Sequence, residues 1–343
     1  RQRQMCIRDS TYTGMLDFAG PLQSWIRASS GWGVQDYYFP EVRSLGGAVT
    51  MFSLVLYPYV YLLARAAFLE QSICVLEVSR TLGCSVWSSF YRVALPLARP
   101  AIVAGLSLAL METLADYGTV AYFGLGVFTT GIFRTWFGLG DAAAAAKLAA
   151  ILLLFVFTLI LIERWSRQRA RYHHATNRYS SLPQYRLRGY RAGLAFFACF
   201  IPLSLGFLLP AFQLALWAVE TYSYMVDASF VQLTLHSLEL AASAALLAVV
   251  LALFLAYGKR MLDSKTVSAS IRIVASGYAL PGTVIAVGVI IPFAWFDNSV
   301  DNLMQQHYGF SSGLVLSGSL FALMFAYMVR FLAVSIQAVE SGL

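Results

Sequence analysis

Seven stretches of the chain are long and apolar enough to cross a bilayer, and this feature constrains the fold more than any other. They lie near 46–68, 101–124, 142–162, 192–219, 236–257, 273–296 and 314–336. Crossing about 30 Å of hydrocarbon takes roughly 20 helical residues. Because lipid offers no hydrogen-bond partner to backbone N–H and C=O groups, each stretch must be a helix. The sequence therefore predicts an all-α fold, a polytopic transmembrane helical bundle of about seven spans.

Composition supports a lipid environment and argues against several classes of soluble protein. The chain is 59% hydrophobic and 12% charged, whereas soluble domains carry about 25% charged residues. Its net charge of +7 does not predict a nucleic-acid partner, because the cations lie between apolar runs, as in membrane proteins. Scattered cysteines and histidines predict no disulfide framework, metal site or cofactor. No Walker A or hydrolase motif occurs, so we expect a protein that is not itself an enzyme.

The distribution of lysine and arginine predicts the orientation of the spans. Two basic loops, 163–191 and 258–272, are separated by two spans and therefore fall on the same, cytoplasmic side. Loop 297–313 falls outside, and it carries Asp297 and Asp301 but no lysine or arginine. The same alternation places 69–100 and the C-terminus inside and 11–45 outside. We expect a multi-pass protein of a bacterial inner membrane.

Both ends of the sequence are unusual for a complete membrane protein. Residues 1–10 read RQRQMCIRDS, without the apolar region of a signal peptide, and are interpreted as a foreign junction. The chain ends at 341–343, a few residues after a span. We expect both native ends to be missing.

The cytoplasmic loop 77–96 has the pattern of a short amphipathic helix. Leu82, Val86 and Phe90 follow one another at intervals of four residues and would form one apolar face. Pro96 and Pro100 are expected to end the helix before the next span. The pattern alone leaves open a helix lying in the lipid interface.

The same loop resembles the EAA motif of ABC importer permeases. That motif has Glu-Ala-Ala, then Gly, and later Ile and Leu-Pro at fixed spacing. The matching positions here are Glu77, Val78, Ser79, Gly83, Val93, Leu95 and Pro96. Val78 and Ser79 replace the two alanines, and Val93 replaces the isoleucine. The resemblance implies that this loop docks on cytoplasmic ABC ATPase subunits and transmits nucleotide-driven motion.

A wider resemblance, from about residue 11 to the end, is to ferric-iron-type permeases. The segments that carry it are 44–70, 95–124, 127–137, 206–210, 278–289 and 327–343. It implies two fused permease halves, with 11–191 as the first half and 192–343 as the start of a second half that ends before its own EAA loop. It also implies a periplasmic substrate-binding protein as a partner and ferric iron as the substrate.

Charged residues inside the spans are the remaining functional candidates. Glu112 and Asp116 lie four residues apart in the predicted span 101–124 and would share one helical face. They would line a cation pathway, or they would anchor one helix to another. Arg65 and Arg330 are expected to extend from span ends towards the cytoplasm.

A break is expected at Pro281-Gly282, near the start of span 273–296. In the family it is interpreted as structural.

The sequence thus predicts a permease subunit of an ATP-driven, binding-protein-dependent importer. Related permeases for thiamine, phosphonate or sulfate share the EAA loop, so these substrates stay open beside ferric iron. An ion-coupled secondary transporter that uses Glu112 and Asp116 as a relay is the rival from another class. The EAA spacing argues against this rival, because a secondary transporter needs no ATPase-docking helix.

Overall fold

A computed structural model of the chain describes residues 7–33, 36–71, 73–168, 187–261 and 265–342. Within these ranges every regular element is a helix. The α-helices are α1 (Ile7–Leu16), α2 (Pro21–Ser30), α3 (Leu45–Leu69), α4 (Ile73–Thr81), α5 (Val86–Ser89), α6 (Leu95–Ala115), α7 (Gly118–Tyr122), α8 (Phe128–Phe133), α9 (Ala142–Gln168), α10 (Tyr190–Leu203), α11 (Leu209–Met225), α12 (Ala228–Met261), α13 (Lys265–Ala275), α14 (Gly282–Tyr308) and α15 (Leu320–Gly342). Three π-helical turns, Phe90–Ala94, Arg134–Gly138 and Ser204–Leu208, and a 3₁₀ turn, Ser276–Ala279, join some of them. The expected foreign junction lies mostly outside the described residues, as do many arginines of loop 163–191.

Seven helical segments of the described residues are long and apolar enough to cross a membrane, which confirms the predicted fold class. They are Leu45–Leu69, Val86–Ala115, Ala142–Ser166, Tyr190–Tyr222, Ala228–Met261, Gly282–Tyr308 and Leu320–Glu340. Several predicted boundaries are wrong. The span placed at 101–124 runs from Val86 to Ala115, and the one placed at 273–296 runs from Gly282 to Tyr308. The spans placed at 236–257 and 314–336 begin at Ala228 and Leu320. The shift to Gly282 confirms the expected break at Pro281-Gly282, since Pro281 is the residue before the first turn of α14.

The described residues form two compact units. The first comprises the described parts of Arg1–Thr113, Gly118–Leu125 and Phe157–Ala218. Here α3 begins at Ser44, whose hydroxyl accepts a hydrogen bond from the Gly47 N–H at 3.2 Å, an ordinary helix cap. The Tyr12 hydroxyl donates to the Leu205 carbonyl at 2.6 Å, so α1 is tied to the π-helical turn after α10.

The second unit comprises Leu114–Tyr117, Gly126–Val156 and the described part of Val219–Leu343. Its helix α12 carries a stripe of buried alanines every fourth residue, Ala244, Ala248, Ala252 and Ala256. Side chains of α15 pack on this stripe, with Met328 beside its first half and Leu332 and Ile336 beside Ala252. Small residues allow close helix approach, which is the main source of helix association in lipid.

The predicted external loop 297–313 starts too early, because Asp297 and Asp301 both lie inside α14. Asp297 is 1% exposed and accepts hydrogen bonds from the Leu316 and Ser317 N–H groups at 2.9 and 2.8 Å. Asp301 accepts from the Ser311 hydroxyl at 2.6 Å. The two carboxylates therefore hold the segment that leads from α14 into α15.

Candidate functional site

The EAA-like loop forms two helices joined by a tight turn, so the single helix predicted over 77–96 is wrong. Helix α4 ends at Thr81, and Gly83 takes the left-handed conformation with φ of 87°. The N–H of Gly83 donates to the Arg80 carbonyl and that of Cys84 to the Ser79 carbonyl, at 3.0 and 3.1 Å. This pair of bonds is a Schellman cap, which favours glycine at the left-handed position.

The second helix of the loop continues directly into a membrane span. Helix α5 starts after Ser85, whose hydroxyl accepts from the Ser88 N–H at 3.2 Å. The π-helical turn Phe90–Ala94 then joins α5 to α6 without an interruption of the Val86–Ala115 segment. Pro96 and Pro100 lie within this helical segment, so the prediction that they end the helix is wrong.

The π-helical turn gives a physical reason for this tolerance. The Leu95 N–H donates to the Phe90 carbonyl, five residues back, so the regular hydrogen-bond pairing of the α-helix has already changed directly before Pro96.

Buried polar contacts hold the two loop helices together. The hydroxyls of Ser79 and Ser89 lie 2.6 Å apart, and the residues are 7% and 5% exposed. The Gln71 side-chain amide donates to the Ala94 carbonyl at 2.7 Å, and the rings of Phe68 and Phe90 stack with centroids 5.9 Å apart. The loop is therefore fastened to the ends of both adjacent spans, α3 and α6.

Apolar side chains on this helical pair are exposed. Leu82 is 79% exposed and Trp87 71% exposed, with Val78, Val86 and Tyr91 also more than half exposed. The predicted face of Leu82, Val86 and Phe90 does not pack as one stripe, because the turn at Gly83 separates Leu82 from α5.

The motif positions are distributed between surface and interior. Glu77, Val78, Gly83 and Pro96 are exposed, Val93 and Leu95 are half-buried, and Ser79 is buried.

Glu112 and Asp116, the expected carboxylate pair, lie on either side of the last residue of α6. Glu112 is half-buried in α6, but α6 ends at Ala115, so Asp116 lies in the break between α6 and α7. The Asp116 carbonyl accepts a hydrogen bond at 2.8 Å from the hydroxyl of Thr129, which is 2% exposed. The local sequence signal for this break is Gly118, where α7 begins, because glycine often follows the end of a helix.

A second set of polar groups lies where the 273–296 prediction failed. Arg330 is the eleventh residue of α15 and lies midway along the segment Leu320–Glu340 rather than at its cytoplasmic end, which corrects the earlier expectation. Its Nε is buried and has no hydrogen-bond partner among the described residues. A Cβ placed on Gly282 would lie 3.1 Å from Arg330 Nη1, so the guanidinium rests against the start of α14.

Thr283, the next residue, is 5% exposed, and its hydroxyl has no hydrogen-bond partner among the described residues. Arg65, by contrast, is exposed near the end of α3, as predicted. An arginine deep in an apolar run is a sequence-level signal for a functional position, whereas nothing in the sequence distinguishes Thr283.

Comparison with known proteins identifies the segment that contains the loop. Residues 43–172 match the family described as binding-protein-dependent transport system inner membrane component. This segment is therefore similar to the membrane components of binding-protein-dependent transport systems, and it contains three of the candidate spans of the described residues, Leu45–Leu69, Val86–Ala115 and Ala142–Ser166.

Individual relatives match shorter parts of the chain. An Fe(3+)-transport system permease protein of Haemophilus influenzae is 26% identical over 135 residues, which cover 39% of this chain and 27% of the relative. A molybdenum transport system permease protein of Escherichia coli K12 is 28% identical over 134 residues, covering 36% and 58%. A probable sulfate transport system permease protein of Chlorokybus atmophyticus is 36% identical over 76 residues, covering 22% and 26%. The chain thus spans less than two thirds of each of these relatives, and no solved structure matches it.

Proposed function

We propose that the chain serves as the membrane-spanning permease subunit of a binding-protein-dependent ABC importer. The observation that carries the proposal is the helical pair α4–α5, which exposes apolar side chains around the Gly83 turn at the EAA-like spacing. Cytoplasmic ATPase subunits would bind this pair, and a periplasmic binding protein would deliver the substrate on the other side. ATP hydrolysis would occur in the partner.

The mechanical attachment of the pair supports a coupling role over a simple interfacial helix. A helix that only rests in the lipid interface needs an apolar face turned to lipid. Here the buried Ser79–Ser89 contact and the Gln71–Ala94 bond tie both helices to the spans. A displacement of α4 or α5 would therefore be transmitted directly into α3 and α6.

The rival function, an ion-coupled secondary transporter, would use Glu112 and Asp116 as a relay. The EAA-like spacing favours the importer over this rival, because a secondary transporter needs no ATPase-docking helix. Uptake by Glu112→Gln and Asp116→Asn variants tests whether either carboxylate lines a transport pathway.

Two substrate classes have support for this chain. The resemblance of its sequence to ferric-iron-type permeases, together with the iron relative, supports ferric iron. The molybdenum and sulfate relatives support an oxyanion.

The test of the coupling role compares two equally exposed leucines on opposite predicted sides of the membrane. Leu82→Ser removes an apolar side chain that is 79% exposed beside the Gly83 turn, and Leu139→Ser removes one that is 75% exposed after the Arg134–Gly138 turn. Each variant is assembled with its cognate ATPase subunits and binding protein in proteoliposomes. Co-purification of the ATPase and ATP-dependent uptake are measured.

We expect Leu82→Ser to weaken ATPase binding about tenfold, because interface residues that fill a partner's pocket contribute on the order of 1–2 kcal/mol each. Leu139→Ser should leave binding unchanged. Equal ATPase binding by both variants and the unaltered protein would remove α4–α5 from the docking surface.

A further inference from the structure

We propose that the start of α14, with Arg330 and Thr283, binds a tetrahedral oxyanion in the middle of the membrane, and that the transported substrate belongs to this class. The inference rests on the proposed importer role for its meaning, since it names the substrate of that importer. Its evidence is independent of the α4–α5 pair.

The depth of the site follows from the length of α15. Arg330 is ten residues after Leu320 and ten before Glu340. At a rise of about 1.5 Å per residue, ten residues place it about 15 Å from either end. That distance is half of the roughly 30 Å of hydrocarbon, so Arg330 lies at the midpoint of the candidate span Leu320–Glu340.

The start of α14 lies beside this guanidinium and is itself electropositive. Gly282 begins the helix, and its missing Cβ leaves room for Arg330 Nη1. The first N–H groups of a helix have no acceptor within the helix. Pro281 precedes them and provides no side-chain cap, and the first backbone bond of the turn is from the Ile285 N–H to the Pro281 carbonyl at 3.1 Å.

Two buried groups near this helix start lack partners. Thr283 Oγ1 and Arg330 Nε are both buried without a hydrogen bond among the described residues. Because side chains of a helix tilt towards its N-terminus, the Thr283 hydroxyl is directed towards the same end as the free N–H groups. Buried polar groups are nearly always paired in native proteins. Thr283 directly follows Gly282, and Arg330 Nη1 lies beside Gly282, so both unpaired donors belong to the same helix start.

The ligand chemistry follows from the donors. A guanidinium, a hydroxyl and helix N-terminal N–H groups all donate hydrogen bonds, and two of these three carry positive charge or potential. Tetrahedral oxyanions such as sulfate, molybdate or phosphate offer oxygen acceptors in several directions and suit an arginine fork and a helix start together. A bare ferric ion would be repelled by Arg330. Discontinuous membrane helices use their N-termini for anionic substrates in other transporters.

The experiment measures anion binding to the purified chain in phosphatidylcholine nanodiscs. Radiolabelled sulfate is the probe, and molybdate, phosphate and chloride compete with it. The unaltered chain should bind sulfate, and molybdate or phosphate should displace it more effectively than chloride. A lipid phosphate would be present in every sample and would give no dependence on added sulfate.

Three substitutions locate the binding site, and each has a different physical effect. Arg330→Gln removes the charge and should weaken sulfate binding at least about tenfold, the typical effect of losing a hydrogen bond to a charged group. Thr283→Val keeps the shape but removes the hydroxyl, and should weaken binding by about two- to tenfold. Gly282→Ala places a methyl group 3.1 Å from Nη1 and should also weaken binding.

Matched controls are Arg65→Gln in α3 and Thr234→Val in α12, both at exposed positions. These should bind sulfate like the unaltered chain. If Arg330→Gln does not fold, Thr283→Val still tests the site, because it is nearly isosteric. Absence of oxyanion binding, or equal binding by Thr283→Val, Gly282→Ala and the controls, would overturn the inference.

Co-purification of the ATPase is measured in parallel, so that the importer role and the oxyanion substrate class can be refuted independently of each other. Normal ATPase binding without sulfate binding leaves the importer role and overturns the substrate class. Sulfate binding that depends on Arg330, without any ATPase binding by the unaltered chain, supports the anion site and overturns the importer role.

Discussion

Replacing Gly83 by alanine should loosen the α4–α5 turn by a free energy that the structure defines. Gly83 has a φ of 87°, and an added Cβ would meet no atom within 4 Å. The cost is therefore conformational rather than steric. An L-residue in the left-handed region costs about 1–2 kcal/mol, which corresponds to about a 5- to 30-fold increase in local opening at 1.4 kcal/mol per tenfold change.

Hydrogen exchange of the turn amides measures this opening directly. The amides of residue 83 and Cys84 are protected by the two Schellman bonds, so their exchange should accelerate by about the same 5- to 30-fold if opening is local. Gly83→Asn should give a smaller increase, because asparagine tolerates the left-handed region. Gly83→Val should give a larger one, because it is β-branched.

The control is Gly126→Ala, at an exposed loop glycine with neither a positive φ nor a close neighbour. It should leave exchange in 82–85 unchanged. The affinity for the ATPase should fall by a smaller factor than the exchange rate rises. Apparent affinity is proportional to the fraction of molecules in which the turn is closed, and this fraction stays large until opening is frequent. Unchanged exchange at Cys84 in both the alanine and valine variants would refute the assignment of strain to this turn.

Three further predictions concern packing, the carboxylates and pH. Gly105→Ala would place a Cβ 2.7 Å from the Val60 Cα and should cost about 1–3 kcal/mol of stability by overpacking. Gly258→Ala, whose Cβ would meet no atom within 4 Å, should be neutral or stabilising. Thermal unfolding in detergent compares the two variants, and equal effects would contradict the close α3–α6 contact. Glu112→Gln and Asp116→Asn should reduce uptake per assembled transporter only if a carboxylate lines the pathway, and normal uptake by both would exclude that role. Asp227, just before α12, accepts a hydrogen bond from the Phe230 N–H at 2.8 Å, and this bond, followed by that of the Ser229 hydroxyl, holds its pKa below the usual value. Its stabilising effect is complete above the unfolded pKa of about 3.9 and is lost as pH falls through the lower folded value. The stability difference caused by Asp227→Asn should therefore shrink on acidification, and a difference that does not change with pH would refute this role of the carboxylate.

The fold class could be predicted because lipid leaves a chain few choices. Seven apolar stretches of sufficient length must become helices, and seven segments of the described residues meet that requirement. The break at Pro281-Gly282 was also predictable, since proline has no backbone N–H to donate to the carbonyl four residues back.

Local signals misplaced the other breaks. Helix α6 ends at Ala115 in a run with no proline, and its next carbonyl is satisfied by Thr129, which lies 13 residues further along the chain. Conversely, Pro96 did not end a helix, because the π-helical turn directly before it changes the backbone pairing. In both cases a contact or a pairing outside the local pattern decides where the helix ends.

The sequence alone determined that this protein is a helical membrane protein with an EAA-like loop, because apolar length and motif spacing are properties of the chain read in order. The tertiary structure decided which polar groups meet. Thr283 and Arg330 are 47 positions apart in the numbering, and only the packing of α15 against the start of α14 brings the guanidinium beside Gly282. Asp297 likewise became a buried anchor because the Leu316 and Ser317 N–H groups fold back onto it. Hydropathy scores each side chain by its own transfer energy, whereas the cost of burying a charge depends on the partners that folding supplies.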